Sequence, residues 1–434
     1  MKHLSYLLIF LSLFLHSLAE SKVYIDINAP KGKRLPIAIQ EFKKLGEMPS
    51  EILADDLRDV LISDLSFSGL FDLIDMVGYL EDIDSSGLTA SETDFRDWRI
   101  IGCQTLIKGG IWVDNNSIKV DIRLFDVMLE KVLIGKRYIG KASDIRKIAH
   151  RFADEVITNL TGERGIFSTR LLFVSDISGN KEVHISDYDG QNTRQITNNG
   201  SINLSPQWSP DSFSIIYTSY KDKHPYLYMR KLSTGTERKI LYRPGINIGG
   251  RWSPDGKIIA ATLSLDGNPE LYIMDIKTRT LKRLTKNYGI DVSPSWSPDG
   301  KKLAFVSDIA GNPHIYVIDS DGTDRRRLTY KGKYNTSPAW SPRGDLIAFA
   351  GSDGGVFNIY TIKPDGRGLK MLTSEGNNDT PTWSPDGRYI AFSSLRRDGK
   401  KNWDTYIMRA DGSNKKKIIS GMGNSMSPSW SPYP

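Results

Sequence analysis

Cysteine is nearly absent: the 434 residues hold one, Cys103. A single thiol makes no internal disulfide, and Cys103 lies in an apolar stretch, so it reads as a small buried hydrophobe in a chain held together by packing. Histidine is scarce as well. Past the first nineteen residues only His150, His184, His224 and His314 occur, none in HExxH or H-x-H spacing. With no cysteine pairs to assist them, neither a metal nor any other cofactor is expected. No G-x-S-x-G elbow is present, and too little chain follows Trp430 for a hydrolase domain. Charge of one sign is also lacking: 58 basic and 51 acidic residues, net +7, are mixed along the chain, which argues against a nucleic-acid partner.

Leu4 to Leu15 is apolar but too short to cross a bilayer of about 30 Å as a helix. With Lys2 ahead of it and Ser17-Leu18-Ala19 behind, residues 1–19 read as a secretory signal cleaved before Glu20, leaving no stable membrane insertion. The remainder, within a chain that is 39% hydrophobic and 10% aromatic, is globular and long enough for two domains.

What the chain has in quantity is one word, WSP. It centres on Trp208, Trp252, Trp296, Trp340, Trp383 and Trp430, at spacings of 44, 44, 44, 43 and 47 residues. A period near forty-four, filled with short β-rich runs and turn dipeptides, is that of a four-stranded propeller blade. In one repeat, strand a is expected over Ser293 to Ser297, b over Lys302 to Val306, c over His314 to Asp319 and d over Arg325 to Thr329. Asp299-Gly300, Gly311-Asn312 and Asp321-Gly322 supply the turns.

The ends of the array are complementary. Before Trp208 lie b (Leu171 to Val174), c (Glu182 to Ser186) and d (Arg194 to Thr197) without an a strand, whereas after Met426 there is an a strand and nothing more. The C-terminal strand is therefore expected to complete the first blade and close a six-bladed ring over 170–434. The basic runs Lys282-Arg283, Arg325 to Arg327 and Lys415 to Lys417 fall on strand d, where charge protects an outer edge.

Strict alternation along strand a would set each tryptophan, packed against the next blade, opposite the residues one, three and five places before it. Three places before stand Ser205, Gly249, Ser293, Ser337, Thr380 and Ser427, small enough for a crowded axis. Five places before stand Asn203, Asn247, Asp291, Asn335, Asn378 and Ser425. That ring has two compatible readings, loop-forming turn chemistry and a polar, ligand-facing mouth.

From about Val23 to Gly162 the texture changes to that of an α+β domain, assigned to residues 20–163. Ser50 is expected to cap a helix with Leu53, Leu57, Val60, Leu61 and Leu65 on one face and Gly69 as its stop. A second helix starts at Ser143, buries Ile145, Ile148, Ala149, Phe152, Val156 and Leu160, and ends at Gly162. Strands are expected at Leu35 to Gln40, Gln104 to Val113, Ser117 to Phe125 and Lys131 to Ile139, with a linker at Glu163 to Thr169.

This domain order, the LTGERGIF segment (Leu160 to Phe167) and the PSWSPYP ending resemble the TolB family, periplasmic proteins of the Tol-Pal system, along essentially the whole chain. The resemblance implies a non-enzymatic, monomeric periplasmic adaptor that binds Pal at the propeller mouth and TolA through a flexible N-terminus. It implies a part in outer-membrane constriction at division and in envelope integrity. Family positions for Pal fall on Ile246, Gly249 and Val292; Asn247 and Asp291 beside them, with Asn203, Asn335 and Asn378, are the polar candidates. The TolA segment corresponds to residues 20–31, with Glu20, Val23, Ile25 and Ile27 suited to strand addition. The alternative is a periplasmic scaffold or enzyme taking a small ligand or peptide in the central channel.

Overall fold

The computed structural model describes residues 25, 34–46, 51–83, 85–114, 117–395 and 402–434. Residues 1–19, expected to be a signal segment, lie outside them, as do Ser50, Asn115, Asn116, Glu20, Val23 and Ile27.

The N-terminal domain is one mixed sheet with helices on its faces. Strand β1 (Leu35–Ile39) runs parallel to β3 (Phe71–Leu73) on one side and to β4 (Thr105–Asp114) on the other. Strands β4, β5 (Ser117–Asp126) and β6 (Lys131–Lys141) form an antiparallel meander, and short β2 (Lys43–Leu45) pairs with the far end of β4. Helices α1 (Glu51–Ser68) and α3 (Ile145–Thr161) pack together on one face, their apolar stripes set against the sheet. Gly162 ends α3 in the left-handed conformation expected of a C-terminal glycine. On the other face, short α2 (Phe95–Ile100) places Trp98 over Cys103, Leu106 and Phe125. Burial pushes the Cys103 thiol up to about 12, which makes it an inert packing group.

The propeller has six four-stranded antiparallel sheets. As expected, Ser425–Trp430 pairs with Arg170–Ser175, so the C-terminal strand is the inner strand of the first blade and the ring closes. The WSP-D word has a local cause. In the turn after Trp252, the Ser253 hydroxyl donates to Asp255 at 2.6 Å and accepts the Ile258 amide at 2.9 Å, so the serine and aspartate clamp the a-to-b turn. Indole N–H groups reach across blade boundaries, from Trp208 to the Ser429 carbonyl at 3.1 Å and from Trp383 to the Ala339 carbonyl at 2.9 Å. The basic runs lie on the outer strands, and Arg283 there is paired with Asp266 and Glu270.

The two domains share one core. The cluster built on α1 and α3 runs on through Phe167 and Leu171 to Tyr188, Tyr389 and Trp430 of the propeller. The ring of Phe67 stacks on Tyr389 at 4.8 Å, and Glu163 pairs with Arg343 and Arg388 of two WSP turns. The segment between the domains is fastened in place, because Asp154 accepts the amides of Phe167 at 2.7 Å and Ser168 at 2.9 Å. The N-terminal domain therefore covers the WSP end of three blades, those that hold Tyr188, Arg343 and Tyr389, and leaves the entrance of the inner strands open.

Candidate functional site: the entrance of the inner strands

Each inner strand carries one residue too many for simple alternation. In the strand Asn203–Trp208, Leu204 pairs with Thr218 and Gln207 with Ile216, so three steps on one strand match two on its neighbour. The extra residue is a β-bulge. Its backbone signature recurs in all six blades: Ser205, Gly249, Ser293, Ser337, Thr380 and Ser427 have φ between 51° and 67°, in the left-handed region. Small residues stand there because the backbone turns the disfavoured way; five of them, all but Gly249, also line the channel.

The bulge corrects the expected facing. Asn203 pairs with Ser219 and Trp208 with Ile215, positions on one face of the neighbouring strand. The residue five places before each tryptophan therefore shares the tryptophan's side and points between blades. Asn203, Asn247, Asp291, Asn378 and Ser425 are 0% exposed and Asn335 is 2% exposed, so they form no open polar ring. Their turn chemistry, in contrast, is fully expressed. Asn247 accepts the Arg243 amide and donates to the carbonyls of Arg243 and Gly245. Asn203 donates to the Lys181 carbonyl and to Glu182 of the preceding blade, and Asn335 to the Lys331 carbonyl. These side chains fold the entrance loops from beneath.

Asp291 is the exception in that set. Asn287 donates to one of its oxygens at 2.7 Å while the other has no hydrogen-bond partner. Burial raises its pKa above the usual carboxylate range, with Glu270 nearby adding to the effect.

The residues that do line the mouth are the ones alternation hides. Four places before the tryptophans stand Leu204, Ile248, Val292, Thr336, Asp379 and Met426, all partly exposed; six places before stand Ile202, Ile246, Ile290 and Tyr334, all exposed, then Asn377 and Asn424. The mouth is thus two-sided. Three successive blades present an aliphatic crescent, Ile202 with Leu204, Ile246 with Ile248 and Ile290 with Val292, and exposed Arg243, Lys286, Lys331 and Lys333 flank it on the loops. The opposite side is amide and carboxylate. Asp379 there has its pKa raised by burial, against the pull of the Thr380 amide and the Ser337 hydroxyl.

Of the expected site residues, Ile246, Gly249 and Val292 lie at this entrance, and open space faces Gly249 where a side chain would project. Ile25 is the one described member of the N-terminal segment. Its amide donates to the Leu160 carbonyl at 2.7 Å and its side chain packs on the N-terminal core. The repeated left-handed position was the available signal for the rest, since glycine stands in one of its six copies.

Below the mouth the channel opens toward the WSP end as a cavity of about 470 Å³ walled by serine, proline and tryptophan. Arg251 stands in that wall, bonded to the Gly250 carbonyl, and burial lowers its guanidinium to about 10.

A six-bladed ring closed by its C-terminal strand and joined through a shared core to a mixed α+β domain defines a class, the two-domain β-propeller proteins. The TolB beta propeller domain model matches residues 157–434, and the TolB amino-terminal domain model matches residues 23–133. The chain belongs to the TolB family. It is 41% identical over 211 residues to the Tol-Pal system protein TolB of Desulfosudis oleivorans, covering 48% of each chain. It is 43% identical over 192 residues to that of Syntrophotalea carbinolica, covering 44% of this chain and 45% of the relative. These alignments span about half the length of the curated relatives. The crystal structure of TolB from Acinetobacter baumannii superposes with a TM-score of 0.79 at 29% identity, over 92% of this chain and 97% of that one.

Proposed function

We propose that this chain is a non-enzymatic, monomeric periplasmic adaptor of the Tol-Pal system, delivered by a cleaved signal segment over residues 1–19. It docks the lipoprotein Pal at the inner-strand entrance and TolA through residues 20–31, supporting outer-membrane constriction during division and envelope integrity. The observation that carries this reading is the aliphatic crescent of Ile202, Ile246, Ile290 and Val292 beside Arg243 and Lys286. An exposed apolar patch edged by Arg243 and Lys286, with Asp222, Asp266 and Asp308 on the adjoining turns, fits a protein surface that is apolar at its centre and carries charge at its edge. The docked Ile25 supports the second contact, because strand addition to TolA would have to compete with the Leu160 bond.

Calorimetric titration with the soluble domain of Pal from the same organism tests the first contact. Saturable one-to-one binding that Ile246→Asp and Val292→Lys weaken, in protein that melts normally, is the expected result. Absence of binding by two methods overturns it. A second reading, a small ligand in the channel, has one observation in its favour. Arg251 is a cation in the channel wall with no carboxylate paired to it among the described residues.

A further inference from the structure

The seam between the domains holds a cluster that belongs neither to the mouth nor to the channel. His150 on α3 faces Asp187 and Asp189, which flank Tyr188 at the c-to-d turn of the first blade, and one donor atom from each of the three lies within 4.8 Å of the others. His150 stands thirty-seven residues before Asp187 and in the other domain, whereas the two aspartates share one turn. That separation is why no ligand spacing is visible along the chain.

The imidazole is prepared in a particular way. His150 is 3% exposed, and its Nδ1 stands 2.7 Å from Asp64 Oδ2. The other Asp64 oxygen accepts the Tyr188 hydroxyl at 2.6 Å. Nδ1 faces the Asp64 carboxylate, and Nε2 looks toward the two aspartates, where it has no hydrogen-bond partner. Asp189 Oδ2 is 3.9 Å from Nε2, too long for a hydrogen bond. Two metal–ligand bonds of roughly 2.0–2.2 Å span such a gap at a wide angle. A carboxylate behind the non-ligating nitrogen is also the support that metal-binding histidines characteristically have.

The surroundings permit entry. A cleft of about 800 Å³ between the domains is bordered by His150, Asp154, Arg170, Asp187 and Asn192. Asn192 donates to Asp187 at 2.7 Å, the Gln191 amide to Asp189 at 3.1 Å, and Arg146 to Asp189 at 2.5 Å. Arg146 is the competing cation, and a metal would share Asp189 with it.

We propose that His150, Asp187 and Asp189 form a site for a divalent cation of the zinc class, one imidazole and two carboxylates with a remaining position open to the cleft. Because its ligands come from both domains, the ion binds the docked arrangement and stabilises it.

The test uses untagged chain lacking residues 1–19, stripped with a chelator and titrated with Zn²⁺ by calorimetry and with Co²⁺ by visible absorption. One equivalent of each is expected, with the d–d bands of a low-coordinate N/O site, a raised melting temperature, and affinity at least tenfold lower in Asp187→Asn and His150→Gln. Asp64→Asn, which alters the support of the ring and the acceptor of the Tyr188 hydroxyl while leaving the three ligands in place, should lower affinity by roughly 10- to 100-fold. Asp187 is on a partly exposed turn, so its variant decides the matter should His150→Gln not fold. No stoichiometric binding by the wild type at micromolar ion overturns the site. Binding that persists unchanged in Asp187→Asn overturns it equally, since the ion would then sit elsewhere.

Discussion

Asn203 and Trp208 stand five residues apart on one inner strand and still face the same side of it, because left-handed Ser205 inserts one unpaired residue between them. The tryptophan wedges between blades and the asparagine ties down the entrance loop from the same side. The mouth is left to Ile202 and Leu204.

Asp291 occupies the position that is asparagine in four other blades. Its folded pKa is raised by burial, so the folded state holds a proton that the unfolded chain releases near pH 4, and stability falls as pH rises above that value. Asp291→Asn should be more stable at pH 8 by on the order of 1 kcal/mol, with a flatter profile of melting temperature against pH. Equal pH profiles for the two proteins would contradict this.

Asp154 fastens the inter-domain segment, and burial pushes its carboxyl up to about 6 against the pull of the Ser168 and Phe167 amides, with Asp64 adding repulsion. The sign is the same: stability is highest below about pH 4 for this group and declines through about pH 6, by on the order of 3 kcal/mol. Chemical denaturation of Asp154→Asn across that window should lack this component of the slope.

Gly69 follows α1 with φ of 65°, and a methyl group there would meet the Arg409 guanidinium at 1.2 Å. Gly69→Ala should therefore loosen the domain contact, costing on the order of 1–2 kcal/mol from backbone strain and displacement of the arginine. Arg409→Ala in the same chain should recover part of the loss, and a double-mutant cycle measures how much.

Removing residues 425–434 takes away the inner strand of the first blade and uncovers Arg170–Ser175. The truncated chain should lose cooperative melting and self-associate through the open edge. A monomeric, cooperatively melting product in sedimentation and calorimetry would refute the closure argument.

Ile246 is 36% exposed at the crescent. Ile246→Asp should leave the melting temperature within about a degree while weakening Pal binding tenfold or more, about 1.4 kcal/mol. Asn247→Ala should instead lower stability by about 1–2 kcal/mol, because its amide satisfies three backbone groups of the loop.

The amino-acid sequence alone determined the architecture. Tryptophans at regular spacing, Asp-Gly turns and a surplus last strand specify closed blades because turn chemistry and strand pattern are local. The stripes of α1 and α3 were legible for the same reason. What tertiary structure decided was facing and proximity. One left-handed residue per blade reverses the side on which Asn203 and Asp291 stand, and strict alternation has no means to register it. The approach of His150 to Asp187 and Asp189 depends on the packing of Phe67 against Tyr188 and Tyr389, a contact between residues more than a hundred positions apart that no local pattern encodes.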